Sequence, residues 1–586
     1  MNKQECDILC ELIVEPYVNQ RLLSEKTGHS IGVVNRSIKN LTAEGYLDED
    51  IRPTGKAVDE FKNNRPKNAV ILAAGFGMRM VPINTEVPKG LLEVNGEALI
   101  ERTIKQLHEA GVYEIYVVVG FMKEHYEYLI DEYGVELIVN EEYASKNNIH
   151  SLKLAAEHLG NTYIVPCDVW CDVNPYSNFE LYSWYMVSEL IDDESSVRVN
   201  RKMELAKVDE NESGNTMIGI TYLVKEEADI VKERIEEYDS DNRYEDKFWE
   251  EALFEKDRMI VKARVVHSEE VVEINTFEQL RDLDSDSLHL KSDALRTIAE
   301  VLKVDESDII NISVLKKGMT NRSFLFEAKA KKYIMRIPGE GTDKLINRKN
   351  EANVYTAIAG RKICDDIAYI NPDNGYKITE FLDNARVCDA FNEEDLKKCM
   401  AKLRAFHKEE LIVGHEFDIF GQMEFYETLW EGRPSVYRDY KKTKENVLSL
   451  KKYIDENAGK KVLTHIDAIP DNFLFYNDEN GNEELRLIDW EYAGMQDPHV
   501  DIAMFCIYSL YDREWVDRLI DIYFENKCDK KTRIKIYCYI ASCGLLWSNW
   551  CEYKRILGVE FGEYSLRQYR YAKDFYRIVK EESEDE

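Results

Sequence analysis

Three different spacings of apolar residues follow one another along the chain. Up to about residue 64, short amphipathic segments with helical spacing precede a hairpin-like stretch. From residue 67 onwards, apolar runs of strand length alternate with amphipathic stretches, and from about residue 290 strand-like pieces lead into long helical periodicity. The pattern predicts a multidomain α/β and α+β protein with domains at residues 1–64, 67–285 and 290–586.

The first domain contains the signals of a helix-turn-helix. Gly28 marks a turn and Ser30 an N-cap, and together they introduce a second helix with Arg36 and Lys39 on its exposed side. The arrangement resembles a winged helix-turn-helix, whose second helix enters a DNA groove. Domains of this kind also act through packing or dimerisation alone, and the sequence favours that role over DNA binding.

Charge is the reason for this preference. Residues 1–66 contain nine basic and eleven acidic side chains, so the domain lacks the positive surface that phosphate contacts require. The whole chain has 77 Lys and Arg against 111 Asp and Glu, a net charge of −34. The acidic field repels nucleic acid and anionic lipid over most of the surface, which leaves DNA as a weakly supported partner.

The middle domain alternates strand and helix. Apolar runs of strand length lie at residues 69–75, 114–120, 135–140 and 162–168. This alternation is typical of a mainly parallel, doubly wound sheet with helices on both faces. Ligands of such sheets bind at the carboxyl ends of the strands, where the informative residues of this domain stand.

A loop with two glycines follows the first of these strands. In LAAGFGMRMVPINTEVPKG, residues 72–90, Gly75 and Gly77 allow backbone N–H groups to approach a phosphate chain. Arg79 and Lys89 supply positive charge. The complete loop closely resembles that of nucleotidyltransferases, which join an NTP to a phosphorylated small molecule.

This resemblance covers about residues 67–285 and implies a Rossmann-like fold. It places one Mg²⁺ ligand at Asp168, where an isolated Asp would otherwise cap a turn, and the second at Asn275. Phosphocholine cytidylyltransferases usually have Asp at the second position and some sugar-phosphate relatives have Asn, so the substrate stays open. The resemblance assigns nucleotide contacts to Ala73, Ala74, Gly75 and Gly77.

Within that group, the sequence resembles bacterial CTP:phosphocholine cytidylyltransferases most closely. Residues 119–152 match their substrate-proximal loop, which implies contacts from Asn147 and Ser151. Trp249 and Glu250 match an aromatic-acidic pair of the same group, and such a pair suits a quaternary ammonium, which needs π faces and diffuse negative charge. The alternative, that Trp249 is a core aromatic, carries equal weight.

The reaction implied is attack of a substrate phosphate oxygen on the α-phosphorus of CTP, with release of pyrophosphate. Little acid–base chemistry is needed. Mg²⁺ on Asp168 and Asn275 would align the reactants. Arg79 and Lys89 would help to neutralise the developing charge.

The third domain contains a kinase-type catalytic loop. In LTHIDAIPDNFLF, residues 463–475, Asp467 follows His465 and is itself followed by Asn472 five positions later. A strand-like RLIDWEYAG then places Asp489 where kinases have a metal-binding aspartate. We expect Asp467 to orient and deprotonate a substrate hydroxyl, while Asn472 and Asp489 hold Mg²⁺ on the ATP phosphates.

Upstream residues agree with this interpretation. A turn containing Gly318 and Asn321 would cover the phosphates. Arg336 stands where protein kinases have a strand lysine, with Glu351 as its expected partner. Arg in place of Lys, and HxD in place of HRD, resemble choline and ethanolamine kinases and the wider aminoglycoside phosphotransferase-like group. The resemblance covers residues 295–586 and implies a two-lobed protein-kinase-like fold.

Aromatic residues point to the kinase substrate. Trp547 and Trp550 are three residues apart, so on a helix both rings face the same side. Choline kinases have a matching pair that encloses the trimethylammonium group, and Tyr492 and Tyr564 would complete such a cage. Helix packing is the alternative. Choline kinases commonly carry a glutamate near the position of Ile507, which leaves the acidic part of the cage open.

Composition excludes some classes of protein. No stretch of the 586 residues approaches the roughly 20 apolar residues of a spanning helix, and the start lacks an export signal, so we expect a cytoplasmic protein without a membrane partner. Twelve cysteines are scattered singly, without the spacing of common zinc or redox motifs. They are expected to be reduced, buried thiols.

The two resemblances describe consecutive reactions. A choline kinase produces the phosphocholine that a phosphocholine cytidylyltransferase consumes, so the chain is expected to convert choline, ATP and CTP to CDP-choline. Ethanolamine or a sugar is the alternative substrate. A different alternative is a DNA-binding regulator whose enzyme-like domains sense these metabolites, although the intact motif residues argue against it. The sequence predicts no oligomeric state.

Overall fold

The computed structural model describes residues 1–75, 77, 80–83, 87–193, 195–209, 212–245, 247–315, 321–339, 345–478, 480–556 and 561–584, except for the side chains of residues 242, 288, 321, 322 and 584. The chain divides into two compact units, residues 1–292 and 293–586. Each unit is described by itself below.

The first unit begins with a winged helix-turn-helix. Its helices are α1 (Lys3–Val14), α2 (Gln20–Thr27), α3 (Ile31–Ala43) and α4 (Gly55–Asn64). Gly28 ends α2 at φ +70°, and the Ser30 hydroxyl caps α3 by accepting a hydrogen bond from Val33 N at 3.4 Å. A bridge between Leu47 and Pro53 closes the wing. The turn and cap thus lie where the sequence predicted them.

The winged helix shares its core with the domain that follows. Asp7 on α1 accepts a hydrogen bond from the Tyr182 hydroxyl at 2.7 Å. Phe61 on α4 packs edge-on against Phe179, with ring centroids 5.6 Å apart, and Leu181 is buried in the same cluster. The winged helix is therefore packed onto the middle domain rather than joined to it only by a linker.

The middle domain is an α/β sandwich around one large sheet. Its strands are β1 (Asn68–Ala73), β2 (Glu93–Val94), β3 (Glu97–Ala98), β4 (Glu114–Val119), β5 (Glu136–Val139), β6 (Thr162–Pro166), β7 (Val169–Cys171), β8 (Trp184–Asp192), β9 (Val197–Val199), β10 (Glu204–Lys207), β11 (Gly214–Leu223), β12 (Phe254–Glu255), β13 (Arg258–Val266) and β14 (Val271–Glu273). Its helices are α5 (Leu99–Glu109), α6 (Tyr128–Tyr133), α7 (Asn148–Leu154), α8 (Lys225–Asp239) and α9 (Phe277–Leu283).

The sheet is parallel in one half and mixed in the other. The strand order is β5-β4-β1-β6-β11-β8-β13-β10-β9, and β12 pairs with β13. Strands β5, β4, β1 and β6 run parallel, as the alternation predicted. Strand β11 is antiparallel to both β6 and β8, because the described residues between β8 and β11 form strands and turns without a crossover helix. A mainly parallel sheet therefore describes the first half only.

The second unit begins with a small β-rich lobe. Its elements are α10 (Asp293–Leu302), β15 (Ile310–Val314), β16 (Asn321–Ala328), β17 (Lys331–Pro338), α11 (Arg348–Ile358), β18 (Ile367–Ile370) and β19 (Lys377–Glu380). The strands form an antiparallel sheet in the order β15-β16-β17-β19-β18. Strand β17 of this sheet carries Arg336, and α11 carries Glu351.

A large helical lobe follows. Its strands are β20 (Arg386–Val387), β21 (Val462–Thr464), β22 (Phe473–Asn477), β23 (Glu483–Leu487) and β24 (Gly494–Gln496). Its helices are α12 (Glu393–Lys408), α13 (Ile419–Thr428), α14 (Tyr440–Ser449), α15 (Lys451–Asn457), α16 (His499–Tyr508), α17 (Arg513–Tyr523), α18 (Lys530–Ile556) and α19 (Glu563–Glu584). Helix α18 is buried along most of its length, which makes it the axis of the lobe.

No helix in the described ranges combines the length and apolar content that a bilayer crossing requires. The cysteines are free thiols, and most of them are buried.

Candidate functional sites

The first site lies where β1 ends. Ala73 and Ala74 are buried there, and Phe121 N donates a hydrogen bond to Ala74 O at 3.2 Å. Gly77 has φ +57°, and a Cβ at this position would stand 3.4 Å from the Lys89 Cβ. A side chain at Gly77 would therefore have a strained backbone conformation and would lie in contact with Lys89. Arg79, which the sequence assigned to this loop, lies outside the described residues.

Lys89 joins the two predicted metal ligands. Its Nζ donates hydrogen bonds to the Asp168 carboxylate and to Asn275 Oδ1, the latter at 2.8 Å. Asp168 follows β6 and Asn275 follows β14, and the two segments are held together by Ile274 N donating to Asp168 O at 2.9 Å. The pairing of β14 with β7 extends this contact, so residues about 100 positions apart meet at one point.

The donor set at this point fits a hard divalent cation. One carboxylate and one amide oxygen converge, and the buried Asp168 Oδ1 has no hydrogen-bond partner among the described residues. Lys89 places a positive charge between the same oxygens. Across the described ranges, no group of three or more His, Cys, Asp and Glu is arranged to hold a metal by itself. A cation here would therefore share its coordination with the substrates' phosphates.

The predicted substrate loop contacts the helix that follows it. Asn147 caps α7, because its Oδ1 accepts a hydrogen bond from Asn148 N at 2.7 Å. Ser151 Oγ accepts one from Asn140 Nδ2 at 3.0 Å. Trp249 is only 2% exposed and packs in the core cluster of the sheet. Of the two roles considered for Trp249 from the sequence, the structure therefore agrees with the core aromatic.

Glu250, the residue after Trp249, is a half-buried acid. Its Oε1 accepts a hydrogen bond from the Tyr185 hydroxyl at 3.2 Å, and its buried Oε2 has no hydrogen-bond partner in the described part of the chain. Burial raises the pKa of Glu250 to about 7, and the nearby Glu273 acts in the same direction. The Tyr185 hydrogen bond lowers it. A cationic ligand would stabilise the ionised form.

The second site lies in the helical lobe, between β21 and β22. Asn472 Nδ2 donates hydrogen bonds to Asp467 O at 2.8 Å and to Asp467 Oδ2 at 3.2 Å. His465 is fully buried and bonds to Ile488 O at 3.0 Å, just before Asp489. Ile466 has φ +70°, which is strained for a β-branched residue. The backbone just before Asp467 is therefore strained, and contacts from neighbouring residues must stabilise it.

Two further carboxylates, those of Asp489 and Glu491, lie within electrostatic reach of Asp467. Burial together with the charges of Asp489 and Glu491 raises the pKa of Asp467 to about 8, and the hydrogen bond from Asn472 acts in the opposite direction. Such a group of acids is stabilised by a bound cation. Asn472 and Asp489 offer the oxygen ligands that Mg²⁺ prefers, so the donor set fits this metal.

The ion pair predicted in the β-rich lobe is present. Arg336 on β17 donates to Glu351 on α11, with Nη2 to Oε2 at 2.9 Å and Nη1 to Oε1 at 2.5 Å, and both side chains are buried. Arg348 adds a second guanidinium, 3.1 Å from Glu351 and 3.4 Å from Glu491. Gly318 and the side chain of Asn321 lie outside the described residues.

Sequence reasoning missed Arg348 and Glu491. Arg348 begins α11, and Glu491 stands two residues after Asp489 in the DWE motif. Their pairing spans 143 positions, so no local pattern announces it. The sequence gave one indication that Glu491 lies near this site, because Glu491 directly follows the Asp489–Trp490 dipeptide.

Asp501 was also missed, although it holds the catalytic loop. Its fully buried carboxylate accepts hydrogen bonds from Ile466 N at 2.7 Å and from His465 N at 3.1 Å. His407 on α12 contacts the same carboxylate, with Nε2 2.9 Å from Oδ2. Asp501 thus fixes the strained backbone immediately before Asp467.

Substitution Asp501→Asn is expected to lower kcat of the phosphotransfer step by about 10²-fold, because the loop would lose its charged acceptor and Asp467 would shift. The KM for ATP should change little, since Asp501 lies behind the loop. Steady-state kinetics on the full chain measure both. Asp512→Asn is the matched control, because Asn also serves as the N-cap that Asp512 provides for α17. Unchanged kcat in a folded Asp501→Asn protein would contradict this role.

The predicted aromatic residues come together, and two of them, Tyr492 and Tyr564, lie within electrostatic reach of Asp467. The rings of Trp547 and Trp550 lie 6.4 Å apart at 25°, and Tyr492 meets Trp547 at 5.8 Å. Phe561 links Trp550 to Tyr564, with ring centroids 5.2 and 6.4 Å away. The tryptophans are 7% and 8% exposed. The group offers several π faces to a cation.

The position near which choline kinases commonly carry a glutamate is occupied here by Ile507, which is fully buried and supplies no charge. The neighbouring Tyr508 has its hydroxyl 2.5 Å from Asp471 Oδ2, and its ring lies 6.1 Å from that of Tyr564. Asp471 belongs to the same loop as Asp467 and Asn472. Its carboxylate therefore reaches the aromatic group through Tyr508, whose ring neighbours Tyr564.

Three family models match the chain in order. A winged helix-turn-helix DNA-binding model matches residues 1–48, a MobA-like NTP transferase domain matches residues 69–172, and a choline/ethanolamine kinase model matches residues 312–539. These matches confirm the three kinds of domain that the sequence predicted.

Curated relatives match the two enzyme domains separately. Choline-phosphate cytidylyltransferase of Streptococcus pneumoniae strain R6 is 29% identical over 230 residues, which is 37% of this chain and 96% of that protein. Protein LicA of Haemophilus influenzae strain KW20 is 29% identical over 266 residues, 43% of this chain and 96% of that protein. A 2-aminoethylphosphonate cytidylyltransferase of Lancefieldella rimae is 46% identical over 110 residues, 18% of this chain and 45% of that protein.

The two sites and the family models lead to the same assignment. The middle domain holds a glycine loop, a lysine and two convergent oxygen ligands, and the third holds a kinase-type loop with its ion pair. The chain therefore unites, in this order, a winged helix-turn-helix module, a MobA-like NTP transferase domain and a choline/ethanolamine kinase domain.

Proposed function

We propose that the protein phosphorylates choline with ATP and then transfers CMP from CTP to phosphocholine, giving CDP-choline and pyrophosphate. The observation that carries this proposal is the presence of both sites in one chain. The product of an alcohol kinase of this family is the phosphorylated small molecule that the neighbouring nucleotidyltransferase requires. The relatives that match each domain over most of their own length support this reading.

In the kinase step, Asp467 accepts the proton of the choline hydroxyl as its oxygen attacks the γ-phosphorus of ATP. Asp501 holds the loop that presents Asp467. Arg336, fixed by Glu351, contacts the nucleotide phosphates, and Gly318 and Asn321 are the further residues that the family resemblance assigns to these phosphates.

In the cytidylyl step, the phosphate oxygen of phosphocholine attacks the α-phosphorus of CTP. Backbone N–H groups of the loop at Gly75 and Gly77 receive the triphosphate. Lys89 and Arg79 balance the charge that develops as pyrophosphate leaves.

Mg²⁺, held by Asn472 and Asp489 in the kinase and by Asp168 and Asn275 in the nucleotidyltransferase, would neutralise phosphate charge in both steps. Asn472 also positions Asp467 through its amide. We propose that both steps take place in the cytoplasm, where ATP and CTP are available and the buried thiols stay reduced.

Choline is the substrate that the aromatic group beside Asp467 favours. A trimethylammonium binds π faces without hydrogen bonds, whereas a primary ammonium gives up strong hydrogen bonds to water and needs acceptors in return. Trp547, Trp550, Tyr492 and Tyr564 supply faces, and Asp471 supplies negative charge.

A second candidate concerns the cytidylyl acceptor. The free, buried Oε2 of Glu250 would accept a hydrogen bond from a primary ammonium, and Trp249 is in the core instead of offering a face. The local 46% identity to a 2-aminoethylphosphonate cytidylyltransferase points the same way. Phosphoethanolamine or an aminoalkylphosphonate is therefore the alternative acceptor.

Steady-state kinetics separate these candidates. We expect kcat/KM of the kinase step to be about tenfold or more higher for choline than for ethanolamine, because cation–π contacts without acceptors favour the quaternary ion. The cytidylyl step is then measured with phosphocholine, phosphoethanolamine and 2-aminoethylphosphonate. A preference for ethanolamine would overturn the choice of choline. A preference for an aminoalkyl acceptor would assign the middle domain to the second candidate.

The winged helix is proposed to act in packing. Its wing carries the exposed acids Asp48, Glu49 and Asp50 where a DNA-binding wing meets phosphates, and α1 is engaged by the middle domain. Arg36 and Lys39 on α3 stay exposed, which is the observation that favours DNA. A gel shift with upstream DNA at stated salt distinguishes the two, since a sequence-specific shift would favour a regulator.

A further inference from the structure

Lys554 is a buried cation on the aromatic face of α18. It stands four residues after Trp550 and seven after Trp547, a spacing that places all three on one side of a helix. The residue is only 9% exposed. Sequence reasoning assigned the two tryptophans to a cation cage but gave no role to this lysine.

The Lys554 ammonium lies against the cage instead of an acid. Its Nζ is 5.5 Å from the centre of the Trp550 ring, within the range of a cation–π contact. The described residues show no side-chain hydrogen bond or ion pair to the Lys554 ammonium, so the Trp550 ring is the direct side-chain contact that the structure shows for it. Most lysines that are this little exposed are paired with an acid.

The charges around Lys554 explain why the ammonium stays there. Burial lowers the pKa of Lys554, and the Glu491 carboxylate opposes this effect. Glu491 is shared with Arg348 at 3.4 Å and Arg336 at 3.7 Å, so Lys554 is a third cation near one acid. The ammonium is therefore held weakly, by the Trp550 ring and by a Glu491 carboxylate that also pairs with Arg336 and Arg348.

We propose that Lys554 is a built-in competitor for the cation cage: its ammonium occupies the π face of Trp550 in the free enzyme, and the cationic end of the substrate alcohol must displace it. Lys554 thus sets the affinity for the alcohol. The inference rests on the proposed choline kinase function, because it needs a substrate that carries a positive charge.

The consequence is that a neutral side chain of equal length improves substrate binding. Lys554→Met keeps the apolar stem that packs on α18 and removes the charge. The KM for choline is expected to fall about three- to tenfold. In the variant, the choline cation binds the Trp550 ring without first displacing the Lys554 ammonium from it. Lys554→Arg keeps the charge, and its KM should stay at or above that of the wild type.

The test measures KM for choline and KM for ATP separately, on the full chain, for wild type, Lys554→Met, Lys554→Gln and Lys554→Arg. The expected result is a lower KM for choline in both neutral variants with the KM for ATP unchanged. The Gln variant keeps the test decisive if the Met variant does not fold. Choline titrations followed by tryptophan fluorescence report the same affinity without turnover.

Two results would overturn the inference. An unchanged or higher KM for choline in a folded neutral variant would show that Lys554 does not compete, and a higher KM for ATP would show that it binds phosphate. Either result leaves the proposed function standing, provided that the wild type phosphorylates choline. If the wild type phosphorylates ethanolamine but not choline, the proposal that choline is the substrate is contradicted, whatever the Lys554 variants show.

Discussion

Asp467→Asn is expected to lose nearly all phosphorylation of choline while cytidylyl transfer continues. The variant keeps the size of the side chain but removes the group that accepts the hydroxyl proton, which is worth about 10²- to 10⁴-fold in rate. Because the two domains have separate sites, supplied phosphocholine should still be converted with CTP at the wild-type rate. ADP release in the presence of choline measures the loss.

A control in the same lobe separates chemistry from folding. Asp478 accepts hydrogen bonds from the Asn480 and Asn482 amides in the β22–β23 turn, away from the carboxylate cluster. Asp478→Asn should leave both reactions unchanged. Wild-type choline phosphorylation by Asp467→Asn would remove Asp467 from the reaction and with it the kinase mechanism.

Lys89→Ala is expected to abolish cytidylyl transfer and spare the kinase. The substitution removes the ammonium that contacts both Asp168 and Asn275, and loss of one preorganised charge at a reacting phosphate costs about 10²- to 10³-fold in kcat. Pyrophosphate release from CTP and phosphocholine measures this step, and choline-dependent ADP release measures the other.

The matched control for Lys89 is another lysine of the same domain. Lys123 follows β4 and pairs with Glu124 at 2.9 Å on the surface. Lys123→Ala should retain pyrophosphate release, whereas Lys89→Ala should show none above background. Full turnover in Lys89→Ala would mean that this lysine is only a structural partner of Asp168.

Residues within one short motif could be predicted from the sequence. Asn472 contacts Asp467 five positions away, and Gly77 adopts the positive φ that a phosphate loop requires. Local spacing determines such contacts, because a turn or strand end brings the residues together directly. The Arg336–Glu351 pair was also predictable, since it joins consecutive elements of a kinase-like lobe.

Contacts between distant segments could not be predicted in this way. Asp501 reaches the backbone of Ile466 from another helix, and Glu491 meets Arg348 across 143 positions. Neither pairing leaves a period or spacing in the sequence, because both depend on how the helices of the lobe pack. The same holds for the contact of Asp7 with Tyr182, which fixes the winged helix on the middle domain.

Burial also changed the interpretation of one predicted site residue. Trp249 belongs to a motif that suggests a cage, yet its ring packs in the core of the sheet. The buried Oε2 of the neighbouring Glu250 has no hydrogen-bond partner within the ranges that the structure describes. The sequence shows which residues are adjacent but not which side of the chain faces the substrate. By contrast, the helical spacing of Trp547 and Trp550 correctly predicted that both rings lie on the same side of α18, where they are 6.4 Å apart.

Phosphorus NMR of the purified full chain with Mg²⁺, ATP, CTP and choline tests the proposed pathway most directly. Phosphocholine is expected as an intermediate, and CDP-choline and pyrophosphate are expected as products. The Asp467→Asn variant is expected to form CDP-choline only when phosphocholine is supplied. If the wild type consumes neither choline nor ethanolamine but activates a supplied phosphoalcohol or sugar phosphate, the kinase assignment and the two-step pathway are contradicted.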